Sequence, residues 1–261
     1  MRRTTRLAAA LGAATLAGLL GAGLGDSRRQ GDVSPGAAAL PATPAPALHI
    51  GKAEPLSSQR FVTRWTVVRR ATLAYTAPSP RAPVVAEVQG YAPEGTPNLV
   101  PVLGTAARSD GLWVKVRIPA LPNGSTGWVQ RPSLGPYESV STHLVVDRAR
   151  LRATLSRGGK IVFNAPVGIG TDASPTPAGE FSVRSKLARY ASPFYGPIAF
   201  GTTARSDVLT DWPDGGFVGI HGTNEPQLLP GRVSHGCIRL RNRDILRLAQ
   251  LMPVGTPITI R

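Results

Sequence analysis

The sequence predicts a mainly β protein with one short helix, built as two folded modules behind an N-terminal leader. Three observations carry this. Gly (29) and Pro (25) are abundant while aromatics make up only 6% of the chain, a balance that favours short strands and turns. Apolar residues recur in short runs, several of them alternating, cut by turn residues. Only near the C-terminus do apolar residues fall at helical spacing. The length of 261 residues allows one large domain or two small ones, and a hydrophobic fraction of 42% suffices for a real core.

The elements follow in order. Met1-Arg2-Arg3-Thr4-Thr5-Arg6 is basic, and Leu7 to Gly25 carries no charge. Such a start reads as an export signal, cleaved near Gly25 or kept as an anchor over residues 1–25. Either form puts the remainder of the chain outside the cytoplasm, in the periplasm or another extracytoplasmic part of the cell envelope. Residues 26–62 hold Pro35, Pro41, Pro44, Pro46 and Pro55 without periodicity and read as a semi-extended linker, in which His49 has no role.

Residues 63–136 read as a small β module. Thr72–Tyr75 and Val84–Val88 are strand-like. In Leu112–Ile118, Leu112, Val114, Val116 and Ile118 are expected on a buried face, with Trp113, Lys115 and Arg117 on the other. Pro122-Asn123-Gly124-Ser125 supplies a turn before Gly127-Trp128-Val129.

The second module, residues 139–261, opens with a strand at His143–Asp147, where His143 is read as structural. Two strands then flank the turn Ser156-Arg157-Gly158-Gly159. Thr176-Pro177-Ala178-Gly179-Glu180-Phe181 is a turn entering a strand. Asn242 is expected to cap a helix carrying Ile245, Leu248, Ala249 and Met252, which Pro253 stops. Pro257 to Arg261 closes the chain as a strand.

The formal net charge of +15 raises the question of a polyanionic partner. The arginines are scattered along the chain and no nucleic-acid motif accompanies them, so nucleic acid is not expected as a partner. Attraction to an anionic matrix such as a cell wall fits better.

Cys237 is the single cysteine, so no intramolecular disulfide can form. It lies in Ser234-His235-Gly236-Cys237-Ile238-Arg239-Leu240, downstream of Phe217-Val218-Gly219-Ile220-His221-Gly222-Thr223-Asn224. A free thiol is mostly protonated at neutral pH, and an imidazole is the usual means of making thiolate. His221 ends an apolar run and precedes a glycine, which suits a fixed base at a strand end. Gly236 allows close backbone approach, and amides near Cys237 could receive an oxyanion. A Cys237 pKa below that of free cysteine is expected on this reading. Three alternatives stand beside it. A buried inert cysteine would sit in an apolar stretch, unlike this one. Zinc could use His221, His235 and Cys237, but a fourth ligand is missing. A papain-like site would carry its histidine downstream.

The two stretches together resemble the signature of the L,D-transpeptidase catalytic domain (YkuD type), and Thr176–Phe181 matches that family's Thr-Pro-x-Gly-x-Phe element. The earlier Trp-Val-Lys-Val and Gly-Trp-Val resemble a bacterial SH3-like module. The resemblance implies a small SH3-like β-barrel over 63–136, followed by an L,D-transpeptidase-type β-sandwich with a short helix over 139–261. It implies Cys237 as nucleophile, His221 as proton donor and acceptor, and the Gly222 carbonyl as its orienter. Ser234, His235 and Gly236 would shape the oxyanion region, with Arg239 and Asn224 in substrate binding; a structural ion pair is the other reading of Arg239. The implied reaction joins a peptidoglycan tetrapeptide donor to a diamino-acid amine through a thioester, without metal or cofactor. Water in place of the amine would give an L,D-carboxypeptidase. A third reading is a non-catalytic cell-wall-binding protein in which the SH3-like module does the work, against which the intact Cys237 and His221 pair speaks. Carbapenems are the implied inhibitors, and the N-terminal segment the one implied membrane contact.

Overall fold

The computed structural model describes residues 54–57, 62–188, 193–209 and 216–261. The leader, most of the linker and His49 lie outside the described residues. Among those described, the strands form one sheet of eight and one of ten. No described helix is long and apolar enough to cross a membrane.

The first sheet holds β1 (Glu54–Pro55), β2 (Thr63–Val67), β3 (Thr72–Tyr75), β4 (Val84–Val88), β5 (Leu99–Arg108), β6 (Gly111–Arg117), β7 (Thr126–Gln130) and β8 (Glu138–Val140). Their order is β4-β3-β7-β6-β5-β2-β8, with β1 paired on β5. Val100, Val102, Val114 and Val116 form its core with Val129 and Leu134. On β6 the expected faces are only half realised. Leu112 is 41% exposed while Trp113 is fully buried. The cause is aromatic cover on the second face. Trp113 packs with Ala106 and Trp128, meets Tyr75 edge-on at 5.7 Å, and donates its indole N–H to Asp110 at 3.0 Å.

The second sheet contains β9 (Thr142–Asp147), β10 (Arg152–Arg157), β11 (Lys160–Pro166), β12 (Gly168–Gly170), β13 (Gly179–Ala188), β14 (Ile198–Arg205), β15 (Phe217–His221), β16 (Gly231–Ser234), β17 (Ile238–Arg239) and β18 (Pro257–Ile260). They run in the order β11-β10-β9-β18-β13-β14-β15-β17-β12-β16. The long strand β13 joins the two halves of a sandwich. Gly179 to Ser182 pair with β18, while Val183 to Ala188 pair with β14. Leu144, Leu155 and Phe163 from one half then meet Val183, Phe200 and Ile220 from the other in a single core. β9 and β10 show why these residues form strands, since buried and less buried positions alternate along both.

The helix α1 (Asn242–Leu251) turns Ile245, Leu248 and Ala249 into that core. Fully burying a side chain such as Leu248 contributes roughly 2 kcal/mol. Asp244 in the first turn favours the positive end of the helix dipole, and Met252 leaves the helix in extended conformation before Pro253. Asn242 is not the cap expected from sequence. Arg241 holds the capping position with extended backbone and no side-chain bond to the helix. The Asn242 side chain faces the other way, and its Oδ1 accepts the Thr223 N–H at 2.9 Å.

Candidate active site

β15 and β17 are adjacent and parallel, with Ile220 opposite Ile238 and His221 opposite Arg239. That register brings Cys237 beside Gly219. The Gly219 N–H donates to Cys237 Sγ at 3.3 Å. Gly219 and His221 share a face because strand side chains alternate. A Cβ added at Gly219 would lie 3.8 Å from both Cys237 Sγ and His221 Cδ2. The thiol and the Nε2-bearing edge of the imidazole therefore flank one glycine. A cavity of about 180 Å³ opens over them, lined also by Phe194, Tyr195, Phe217 and Arg239.

The turn before Cys237 is tied by its own side chains. Ser234 Oγ accepts the Gly236 N–H at 3.1 Å and donates to the Cys237 carbonyl at 2.6 Å. Gly236 has φ +116°, a conformation that side chains rarely adopt. Thr176, from the turn entering β13, donates to the Gly236 carbonyl at 2.7 Å and accepts the Gly170 N–H at 2.9 Å. The Thr-Pro-Ala-Gly-Glu-Phe element thus reaches the site through its first residue. His235 is exposed and lines the cavity.

On the histidine side, His221 Nδ1 lies 2.6 Å from the Gly222 carbonyl. A carbonyl only accepts, so Nδ1 carries the proton and Nε2 is left as the basic nitrogen. Gly222 packs too closely on Gly196 and Asn242 to admit a side chain.

The YkuD family, the L,D-transpeptidase catalytic domain, matches residues 141–260. A Bacillus subtilis relative named as the L,D-transpeptidase YkuD is 30% identical over 129 residues, which is 49% of this chain and 71% of that one. Another from Bacillus subtilis, named L,D-transpeptidase YqjB, is 35% identical over 126 residues, 45% of this chain and 70% of its own. The chain belongs to the L,D-transpeptidase family. Among solved structures, the catalytic domain of an E. faecium L,D-transpeptidase is similar at 25% identity and a TM-score of 0.36, covering 46% of this chain and 96% of that one.

Within this candidate site of the L,D-transpeptidase-family chain, electrostatics correct one expectation from sequence. Burial pushes the Cys237 thiol above its ordinary value, and the Gly219 N–H and the Arg239 charge oppose this without reversing it. Burial also lowers His221 to about 4; the Gly222 carbonyl works against that and the Arg239 charge adds to it. The resting pair is thus a neutral thiol and a neutral imidazole. The upstream histidine suggested a depressed thiol because the sequence carries no information on burial.

Arg239 is 5% exposed. It pairs with Glu225 at 3.4 Å and stacks on Phe194 with its Cζ 4.4 Å from the ring centre. Its buried Nε has no hydrogen-bond partner among the described residues. Asn224 is exposed on the bend after Thr223, outside the residues lining the cavity. Among the described residues, no group of three His, Cys, Asp or Glu side chains could hold a metal ion.

Sequence reasoning missed several residues of this site. Tyr195 meets His221 edge-on at 4.8 Å, and Phe194 lies 6.1 Å from the same ring. Two adjacent aromatics in an aromatic-poor chain were the available signal. Gly219 inside an apolar run was another, since glycine within a strand marks close approach. Glu225 had none.

Proposed function

We propose that the chain is an exported L,D-transpeptidase that forms 3→3 cross-links between peptidoglycan stem peptides through a Cys237 thioester. The observation that supports it best is the fixed tautomer of His221, whose basic edge faces Gly219 beside Cys237. In the first step Sγ attacks the carbonyl of the donor's third residue while the thiol proton passes to His221 Nε2. A neutral pair suits this concerted transfer, because no thiolate need exist beforehand. The oxyanion is received by backbone amides of the Ser234–Cys237 turn other than that of Gly236, which Ser234 Oγ already holds. The C–N bond breaks, His221 returns the proton to the leaving D-Ala amine, and a thioester remains. The side-chain amine of a second stem then attacks, losing a proton to His221, and Cys237 leaves as the thiol. Arg239 meets a substrate carboxylate through the edge not used by Glu225.

The first sheet is assigned as an SH3-like module that orients wall peptides, and the basic, apolar N-terminus as the export signal. Carbapenem-type acylating drugs are included among the proposed ligands, since a thiol that takes the donor carbonyl would also take a strained lactam carbonyl.

Incubation of the 261-residue chain with disaccharide-tetrapeptide, read by mass spectrometry, tests the reading. A dimer lighter by one D-Ala, lost in Cys237→Ala, is expected. Tripeptide without dimer would make the protein a carboxypeptidase, and no change would remove the catalytic reading.

A further inference from the structure

Glu94 lies in the turn between β4 and β5, on the first sheet, yet its carboxylate is spent on the second. Arg184 on β13 donates to it through Nε at 3.1 Å and Nη2 at 2.6 Å, and Ser185 adds its hydroxyl at 2.8 Å. Thr96 on the same turn donates at 3.2 Å. The pair is nearly dry, with side-chain exposures of 13% for Glu94 and 3% for Arg184. β14 makes room for it. A Cβ on Gly201 would collide with Ser185 Oγ and come within 3.2 Å of Glu94 Oε1. Burial works to raise the Glu94 pKa, but Arg184 and the surrounding hydrogen bonds hold it below the ordinary value, so the carboxylate stays ionised at neutral pH.

The Arg184 guanidinium does a second thing. Its Cζ lies 3.9 Å from the centre of the Phe217 ring, with Arg205 on the same ring at 4.9 Å. Phe217 begins β15, lines the catalytic cavity, and stands two residues from Gly219 and four from His221. A continuous chain of contacts therefore runs from the first sheet through Arg184 to the wall of the cavity.

We infer that Glu94 is a positioning residue for the catalytic pocket: by holding Arg184 against Phe217, the first sheet fixes the start of the strand that carries His221. The first sheet on this account completes the site and is more than a spacer. A buried guanidinium without its carboxylate is costly to keep in place. Loss of the Glu94 charge moves Arg184 towards water and takes the support from under Phe217, while the catalytic pair itself is untouched.

The inference rests on the reading of the Cys237 cavity as the reaction site, and the test separates the two. In Glu94→Gln, hydrogen exchange of the β15 amides should accelerate on the order of tenfold while β9 and β10 keep their protection. The KM for donor tetrapeptide should rise about tenfold, with kcat changed less. Glu94→Asp keeps the charge and should restore most of both; it also serves if Glu94→Gln does not fold. Unchanged β15 exchange in a folded Glu94→Gln overturns the inference, as does uniform acceleration in both sheets, which would reduce the pair to a stability contact. If the wild-type chain does not use tetrapeptide, the proposed function fails, and the exchange arm still decides Glu94.

Discussion

His143 and His221 both stand on strands of the second sheet, and burial lowers the pKa of each. What differs is the partner of each ring. His143 Nε2 lies 2.8 Å from Thr259 Oγ1, which gives its own proton to Glu180 at 2.9 Å. The hydroxyl must then accept from Nε2–H, and the ring is absorbed into a short chain ending on a carboxylate. His221 donates from Nδ1 to a backbone carbonyl, while its Cδ2 and the Cys237 thiol flank the same glycine, Gly219. A shifted histidine is therefore no sign of catalysis by itself. The distinction lies in which nitrogen is spent and what the other one faces.

The hardest test of that contrast is paired replacement. His221→Gln keeps the approximate size of the ring and removes the base. It should lower cross-linking on the order of 10³-fold, within the usual range for a lost general base. His143→Gln should leave the rate within about twofold, because its ring serves the sheet. Steady-state rates of both variants with the same donor check this. Comparable losses would erase the difference between the two histidines.

Acid titration is the next largest effect. The folded pKa of His221, about 4, lies below its ordinary 6.5. Between those values the unfolded chain binds more protons than the folded one, so stability rises with pH across this window. The contribution is fully present above 6.5 and is lost as pH falls towards 4, on the order of 3 kcal/mol for a group this buried. Urea unfolding at pH 7 and pH 4 should show that loss in the wild type and a clearly smaller one in His221→Gln. His143 is lowered in the same direction but is only half-buried, so its replacement should flatten the curve less. Equal flattening by the two would mean that the depth of burial at His221 has been misjudged.

The same contrast indicates how far sequence carries. The β9 strand around His143 was readable as the short apolar run Leu144 to Val146, and Ile245, Leu248 and Ala249 marked α1 by helical spacing. Cys237 and His221 stood out through their glycine- and histidine-rich neighbourhood. Tertiary facts were out of reach. Trp113 is buried because Tyr75 and Trp128 cover it from other strands. Asn242 serves the His221 loop instead of its own helix because Thr223 N–H needs an acceptor there. The direction of the thiol shift depends on burial that no local spacing encodes. Glu94 touches Arg184 across 90 residues, between two sheets, with nothing in either segment to join them.

The smallest expected effect concerns the link beneath His143. Thr259→Val keeps the β-branched shape on β18 and removes the hydroxyl between His143 and Glu180. Both partners are only partly buried, so water can reach what the hydroxyl leaves. The cost should be about 1 kcal/mol, that of one ordinary side-chain hydrogen bond, measured by urea unfolding at pH 7. Cross-linking should not change, since β18 pairs with β9 and β13 and lends no side chain to the cavity. A rate loss beyond about fivefold without loss of stability would instead couple this half of the sandwich to the site, and the separation of the two histidines would have to be given up.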